Sequence, residues 1–126
     1  MLAEILNFQG AKPCLGVGSD YKVIYTESAK KDLKSIFGYI SKKLLAPGTA
    51  TGQTQRIMAA VRKLDAMPRR YKLYEEEPWY SQELRYFSVD NYLVFYKVND
   101  EIRKVYVVRI IYGGRDIRTQ LNKSQI

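Results

Sequence analysis

Three strand-like runs joined by very short connections constrain the fold of this chain most. They extend over about Glu83–Val89, Tyr92–Val98 and Lys104–Ile111, and each is rich in β-branched and aromatic residues. Asp90-Asn91 and Asn99-Asp100 supply the residues that favour tight turns between them. Connections this short leave room only for antiparallel neighbours, so the sequence predicts a three-stranded meander.

The middle run of this meander is apolar on both faces. Side chains alternate along a strand, so the two faces hold Tyr92, Val94, Tyr96 and Val98 on one side and Leu93, Phe95 and Lys97 on the other. We therefore expect cover on both sides, from helices or from a partner. We expect the helices to take one face and leave the other face and the chain ends for function.

A strand and two helices are predicted before the meander. Tyr21, Val23 and Tyr25 alternate as in a short strand, and Thr26 or Ser28 offers an N-cap for the helix that follows. The first helix carries one apolar stripe at helical spacing: Ala29, Leu33, Ile36, Phe37, Ile40 and Leu44.

The second helix is predicted to begin after a break. Ala46-Pro47-Gly48-Thr49 interrupts the helical pattern, and a new helix is expected from Thr49 or Thr51 to Ala66. Its buried stripe is predicted as Ile57, Ala60, Val61 and Leu64. A short linker between two helices predicts an antiparallel hairpin.

These elements predict one α+β domain over residues 21–121. Its order is strand, helical hairpin, then meander, with one four-stranded sheet packed on the two helices. Residues 1–20 differ in composition and are interpreted as an N-terminal appendage or leader, and 122–126 as a tail. The length of 126 residues allows one domain and argues against two.

Composition excludes several kinds of chemistry. The chain has no His, which removes Ser-His-Asp and Cys-His nucleophile pairs and His general bases. Its one cysteine, Cys14, excludes an intramolecular disulfide and a four-Cys zinc site. We predict neither a metal nor a cofactor, and cysteine usage together with the lack of a long apolar run predicts a cytoplasmic protein with no membrane partner.

The charge balance favours an anionic partner. Lys plus Arg number 21 against 13 Asp plus Glu, a net charge of +8. Nucleic acid, an acidic protein and anionic lipid all fit this excess. The run Lys30, Lys31, Lys34, Lys42 and Lys43 is either a phosphate-binding stripe or the solvated face of an amphipathic helix.

The meander also predicts a candidate binding surface. Three arginines and three tyrosines could meet at one edge or end of the sheet: Arg85, Arg109 and Arg115, with Tyr86, Tyr92 and Tyr112. Arginine suits phosphate or carboxylate, and tyrosine offers a ring for stacking and a phenol. Such a surface would bind RNA or an acidic peptide. The alternative is a set of solvated or ion-paired arginines, for example Arg115 with Asp116.

The sequence from Tyr21 to about Leu121 resembles the RelE/ParE superfamily of toxins from type II toxin–antitoxin modules. Four pieces carry the resemblance, in order: Ser28-Ala29-x-x-Asp32-Leu33, Leu64 through Met67-Pro68, Asn91-Tyr92-x-Val94-Phe95-Tyr96, and Arg109-Ile110-x-Tyr112-Gly113-x-Arg115-Asp116. The resemblance implies the same strand, helical-hairpin and meander fold. It also implies a plasmid-stabilising addiction module, in which an acidic antitoxin wraps the toxin and keeps it silent.

The resemblance separates two activities. RelE-like ribonucleases place an arginine, a second arginine and a tyrosine where this chain has Leu93, Arg115 and Leu121. Neither leucine stabilises a phosphorane or transfers a proton. The ParE-like branch, whose members inhibit DNA gyrase, is therefore favoured, and we expect a binding protein more than an enzyme.

This interpretation predicts which residues bind a partner, and it leaves two alternative functions open. Those predicted to bind the target or the antitoxin are Arg85, Tyr92, Arg109, Tyr112 and Arg115. One alternative is a ribosome-dependent endoribonuclease that uses a set drawn from Arg85, Arg109, Arg115, Tyr112 and Glu83. The other is an inactive toxin that retains only antitoxin binding, and a homodimer also stays open.

Overall fold

The computed structural model describes residues 21–122. Its main elements are β1 (Lys22–Tyr25), α1 (Glu27–Gly38), α2 (Pro47–Arg62), β2 (Arg85–Val89), β3 (Tyr92–Asn99), β4 (Lys104–Tyr112) and α3 (Ile117–Asn122). The predicted appendage at 1–20, with Cys14, and residues 123–126 of the predicted tail lie outside the described residues. Within 21–122, no helix combines the length and apolar character needed to span a membrane.

The four strands form one sheet in the order β1-β4-β3-β2. β2, β3 and β4 are antiparallel neighbours, which confirms the predicted meander. β1 lies parallel to β4, with Val23 opposite Val105. The long helical connection after β1 makes a parallel pair possible, because parallel strands need a crossover and a tight turn cannot supply one. The predicted α+β fold is confirmed.

The first helix starts as predicted and ends differently. The Thr26 side chain accepts a hydrogen bond from the backbone N–H of Ala29 at 3.3 Å, so Thr26 is the N-cap. A π-helical turn over Tyr39–Lys43 follows α1. Its wider turn rotates the next residue off the buried stripe, and Leu44 is 56% exposed. The prediction that Leu44 belongs to the core was wrong.

The second helix begins earlier than predicted. Pro47 occupies its first turn, where the missing N–H of proline costs nothing because it would have no partner within the helix. The predicted start at Thr49 or Thr51 was therefore wrong, because the helix begins at Pro47. The predicted stripe is otherwise in place: Ile57, Val61 and Leu64 are buried, and a 3₁₀ turn over Lys63–Asp65 ends the helix.

Two strand boundaries also differ. β2 begins at Arg85, because Glu83 has a positive φ of 60° that a strand does not allow. The turn between β3 and β4 is longer than two residues. Asn99 Oδ1 accepts the N–H of Glu101 at 3.0 Å and of Ile102 at 3.3 Å, which closes the turn after β3.

One face of the sheet packs against the helical hairpin and forms the helical core. Its largest fully buried members are Tyr96, Leu33, Ile57, Leu64 and Val61, none of them more than 1% exposed. Tyr96 donates its hydroxyl to the carbonyl of Pro68 at 2.6 Å, which satisfies the one polar atom of a buried ring.

The opposite face is covered by the chain itself. Residues 71–84 and α3 pack there and form the aromatic core, whose buried residues are Trp79, Leu84, Phe95, Val108, Ile111 and Leu121, with Tyr74, Tyr86, Leu93, Tyr106 and Ile117 at its margin. Tyr74 is the hub, with its ring centroid 5.4 Å from those of both Tyr86 and Phe95. Cover on both sides is thus confirmed. The expectation that this second face stays open for function was wrong.

Candidate binding cleft

A cleft of about 810 Å³ lies where the helical hairpin meets the C-terminal end of β4. α1 and the π-helical turn form one wall, the start of α2 another, and the paired ends of β3 and β4 the floor. Its lining includes Asp32, Tyr39, Ile40, Leu44, Gln53, Tyr92, Arg109, Tyr112, Arg115 and Gln120. Aromatic, aliphatic and cationic groups therefore share one concave surface, the combination typical of binding sites.

An ion pair closes the inner side of the cleft. Arg109 donates through Nε to Asp32 at 2.7 Å and through its second terminal nitrogen at 3.0 Å, a bidentate contact between side chains only 13% and 15% exposed. Arg109 also donates to the carbonyl of Gln120 at 2.8 Å. These contacts tie α1, β4 and α3 together, so the donors of Arg109 serve the fold.

Asp32 also completes the sheet edge. β1 ends at Tyr25 opposite Val107, which leaves the next part of β4 without a strand partner on that side. The Asp32 carboxylate accepts the backbone N–H of Ile110 at 2.8 Å and so satisfies this edge. Three donors therefore converge on the two oxygens of Asp32.

Three tyrosines converge on the outer part of the cleft. The rings of Tyr92 and Tyr112 meet edge to face, with centroids 5.7 Å apart. Burial raises the pKa of Tyr92, and the nearby phenols of Tyr112 and Tyr39 raise it further. Tyr92 therefore stays protonated at neutral pH and acts as a hydrogen-bond donor, not as a base.

The turn after β4 positions Arg115 at the cleft. Gly113 donates its N–H to the carbonyl of Asn91 at 2.8 Å, and Arg115 donates its N–H to that of Tyr112 at 3.0 Å. A Cβ on Gly114 would lie 2.6 Å from the Tyr112 ring, so a larger residue there would displace that ring. Arg115 is exposed and makes no ion pair with any residue from 21 to 122.

Asp116 does not pair with Arg115, contrary to the alternative considered from the sequence. It accepts the hydroxyl of Thr119 at 2.6 Å and its N–H at 3.3 Å, and so caps α3. These hydrogen bonds hold the pKa of Asp116 below its usual value. The Arg115 guanidinium is thus the cation at the cleft that a ligand can reach.

The structure brings together four of the five residues predicted to bind a partner. Tyr92, Arg109, Tyr112 and Arg115 all line the cleft. Arg85 does not: it pairs with Tyr96, four residues along β3 from Tyr92. The prediction that all three arginines gather at one place was wrong.

Arg85 and Glu83 have local partners instead. Arg85 donates to the carbonyls of Tyr71 at 2.6 Å and Arg69 at 3.3 Å, which fastens the start of segment 71–84 to β2. Glu83 lies 3.9 Å from Arg69. Both side chains therefore act at the edge strand, away from the cleft.

Leu93 and Leu121 lie in the aromatic core. Leu121 is 1% exposed, Leu93 is half-buried, and neither lines the cleft. Arg115 thus lines the cleft, whereas the two positions that the RelE-like pattern would join to it pack in the aromatic core. No His, Cys, Asp or Glu cluster suited to a metal occurs in residues 21–122.

Sequence reasoning missed several cleft residues. Tyr39 is the clearest: it lies off the apolar stripe of α1, and an aromatic residue on a polar helix face was a usable signal. Gln53 contributes from α2, where it donates to Asp90 at 3.0 Å and links the helix to the β2–β3 turn. Nothing in the sequence pattern pointed to it.

Comparisons with solved structures support the fold. The chain is similar to a protein of the chromosomal ParDE system from Pseudomonas aeruginosa, with 18% identity, a TM-score of 0.61, and coverage of 75% of this chain and 97% of that one. It is also similar to an archaeal RelE–RelB structure from Pyrococcus horikoshii, with 17% identity, a TM-score of 0.53 and coverage of 76% and 98%. Comparison with curated proteins gave no match.

A third structure and a family model complete the comparison. The structure is the RelBE2 toxin–antitoxin complex of Mycobacterium tuberculosis, at 20% identity, a TM-score of 0.50 and coverage of 74% and 91%. The family model, described as the ParE toxin of the type II toxin–antitoxin system parDE, matches residues 23–117 and so takes in the sheet, the helical hairpin and the cleft. The chain belongs to the ParE toxin family of type II toxin–antitoxin systems.

Proposed function

We propose that this toxin arrests growth by binding a macromolecular target without cutting RNA, and that the target is DNA gyrase. The resemblance to the ParE-like branch suggests gyrase. The observation that carries the proposal is the packing of Leu93 and Leu121 in the aromatic core, outside the lining of the cleft that contains Arg115. Two of the three positions that RelE-like ribonucleases use for cleavage are thus occupied here by side chains that pack in the aromatic core.

The chemistry of the cleft supports binding over cleavage. In-line attack by a 2′-hydroxyl needs a base for that hydroxyl and an acid for the leaving oxygen. Asp32 is the one carboxylate in the lining, and its oxygens are occupied by Arg109 and Ile110. The raised pKa of Tyr92 also argues against a phenolate base.

The cleft is well suited to hold part of a protein partner. Tyr39 and Leu44 are each 56% exposed and Tyr112 is 47% exposed, so apolar surface is available beside the cation Arg115. A partner segment with an apolar side chain next to a carboxylate would satisfy both features. We propose that the antitoxin and the target compete for this cleft, which would explain neutralisation by simple occlusion.

The test is inhibition of gyrase supercoiling by the purified toxin. We expect wild-type toxin to inhibit, and Tyr112→Ala with Arg115→Ala to weaken inhibition at least tenfold. The matched control is Tyr80→Ala with Arg118→Ala, because Tyr80 is 48% exposed and both residues lie on the opposite face. Inhibition of translation with messenger RNA cut in the ribosome, and gyrase unaffected, would contradict the proposal.

A further inference from the structure

Basic side chains gather at the end of the domain opposite the cleft. β1 and β4 both start there, and their first residues, Lys22 and Lys104, are paired neighbours. The C-terminal end of α2 and the β3–β4 turn lie beside them, together with two 3₁₀ turns, Lys63–Asp65 and Pro68–Arg70. The exposed or half-buried cations of this basic end are Lys22, Arg62, Lys63, Arg69, Arg70, Arg103 and Lys104.

Backbone contacts hold these separate segments together as one surface. Lys22 donates its N–H to the carbonyl of Arg103 at 3.0 Å, which joins β1 to the β3–β4 turn. Tyr21 donates its N–H to the carbonyl of Asp65 at 3.1 Å, which joins β1 to the turn after α2. The arrangement is fixed by the fold, not by flexible side chains that happen to meet.

The basic end has more positive charge than its own acids neutralise. Seven cations face four acids, Asp65, Glu83, Asp100 and Glu101, which leaves an excess of three positive charges. Asp100 is shared by the Tyr21 hydroxyl and the Arg69 guanidinium. Lys22, Lys63, Arg70 and Lys104 form no ion pair with a described residue.

We propose that the basic end binds the phosphate backbone of double-stranded nucleic acid. A duplex presents closely spaced negative charges and needs neither a pocket nor an apolar anchor from its partner. A chain with a pI of about 9.6, whose cations cluster on one surface, has the electrostatic footprint of such a protein. This inference does not depend on which target the cleft binds.

An acidic peptide fits this surface less well than a duplex. Peptide recognition uses grooves with apolar pockets, and the cleft at the other end supplies those. The basic end instead carries guanidinium groups stacked on tyrosine rings, Arg103 at 4.6 Å from the Tyr21 centroid and Arg70 at 5.8 Å from that of Tyr71. A ring beside each guanidinium limits its motion.

The test is fluorescence anisotropy with the full chain and a labelled duplex of about 20 base pairs, over salt from about 50 to 200 mM. Lys63→Gln with Arg70→Gln removes two charges from the basic end. Lys31→Gln with Lys34→Gln removes two exposed charges from α1 and is the matched control. Circular dichroism checks that both double variants are folded.

We expect wild-type toxin to bind the duplex with a strong dependence on salt. Removing two phosphate contacts should lower the slope of log affinity against log salt by about 1.8, and the affinity at 0.1 M salt on the order of 50-fold. The α1 control should change both by much less. Parallel DNA and RNA duplexes identify which nucleic acid binds more tightly, and binding to either one supports the proposal.

Three results would overturn it. The first is no duplex binding at the lowest salt. The second is an equal loss from the two double variants, since that would reflect net charge alone and not this surface. The third is competition by polyglutamate as effective as competition by unlabelled duplex at equal charge, which would make an acidic protein the partner.

Discussion

The two faces of the sheet are built in different ways. The helical core is covered by two helices whose apolar residues recur at helical spacing, among them Leu33 and Ile57. The aromatic core is covered by segment 71–84, which has little regular structure, and by the short helix α3. Regular secondary structure protects one face, and packed aromatic rings protect the other.

The two residues that bear on cleavage lie in different parts of this arrangement. Leu121 is buried in the aromatic core, while Arg115, six residues earlier, lines the cleft. A surface occupied by structural side chains is not available for catalysis. The cleft, built where the helical hairpin overhangs the sheet, is the surface left to a partner.

The largest effect on stability is expected at the ion pair between Asp32 and Arg109, which connects α1, β4 and α3. Asp32→Ala leaves Arg109 buried without its partner and should lower the free energy of unfolding by about 3–5 kcal/mol. Urea denaturation measures it. The double variant Asp32→Leu with Arg109→Met removes both charges and should recover much of the loss. A cost below about 1 kcal/mol for Asp32→Ala would show that the ion pair does not join the faces.

The next prediction compares the two cores directly. Leu33→Ala should cost about 4 kcal/mol, because the leucine is fully buried between long elements that cannot close the cavity. Leu121→Ala should cost about 2–3 kcal/mol, since a six-residue helix can shift to fill the space. Urea denaturation of both variants gives the ranking. A larger loss at Leu121 would reverse our view of which face dominates.

Restoring the residues of a cutting relative is a sharper test. Leu121→Tyr overfills the aromatic core and should cost about 1–3 kcal/mol. Combined with Leu93→Arg it should give no RNA cleavage, because these positions lie outside the lining of the cleft that contains Arg115. Cleavage of ribosomal messenger by this double variant would show that the two faces still share one site.

The smallest effect concerns alkaline pH. Burial raises the pKa of Tyr96 to about 12, whereas an unfolded tyrosine has a pKa of about 10. The folded state therefore retains a proton that the unfolded state loses, and stability should fall as pH rises from about 10 to 12. Tyr96→Phe should flatten this decline, and exposed Tyr80→Phe should not. An equal slope in all three proteins would contradict the assignment.

Much of the fold could be predicted from the sequence, because the spacing of apolar residues indicates which face of a helix or strand is buried. The helical stripe and the alternation along β3 identified most of the helical core. The same signal missed the cover over the aromatic core, since Trp79 and Tyr74 lie in a segment with no period. A π-helical turn also removed Leu44 from the stripe, and nothing in residue spacing predicts one.

The candidate site was only partly predictable. Tyr92, Tyr112 and Arg115 could be named because they lie at strand ends that the meander brings together. The ion pair of Arg109 with Asp32 could not be predicted, because these residues are distant in sequence and no local sequence pattern indicates the contact. Whether an arginine binds a partner or stabilises the fold depends on such contacts.

The most direct test of binding without cleavage is made in cells that express the toxin without an antitoxin. Plasmid supercoiling and the 5′ ends of messenger RNA are measured in the same culture as growth stops. Our account predicts a loss of negative supercoiling, with messenger ends the same as in untreated cells. New messenger ends at codon boundaries, with supercoiling unchanged, would contradict it.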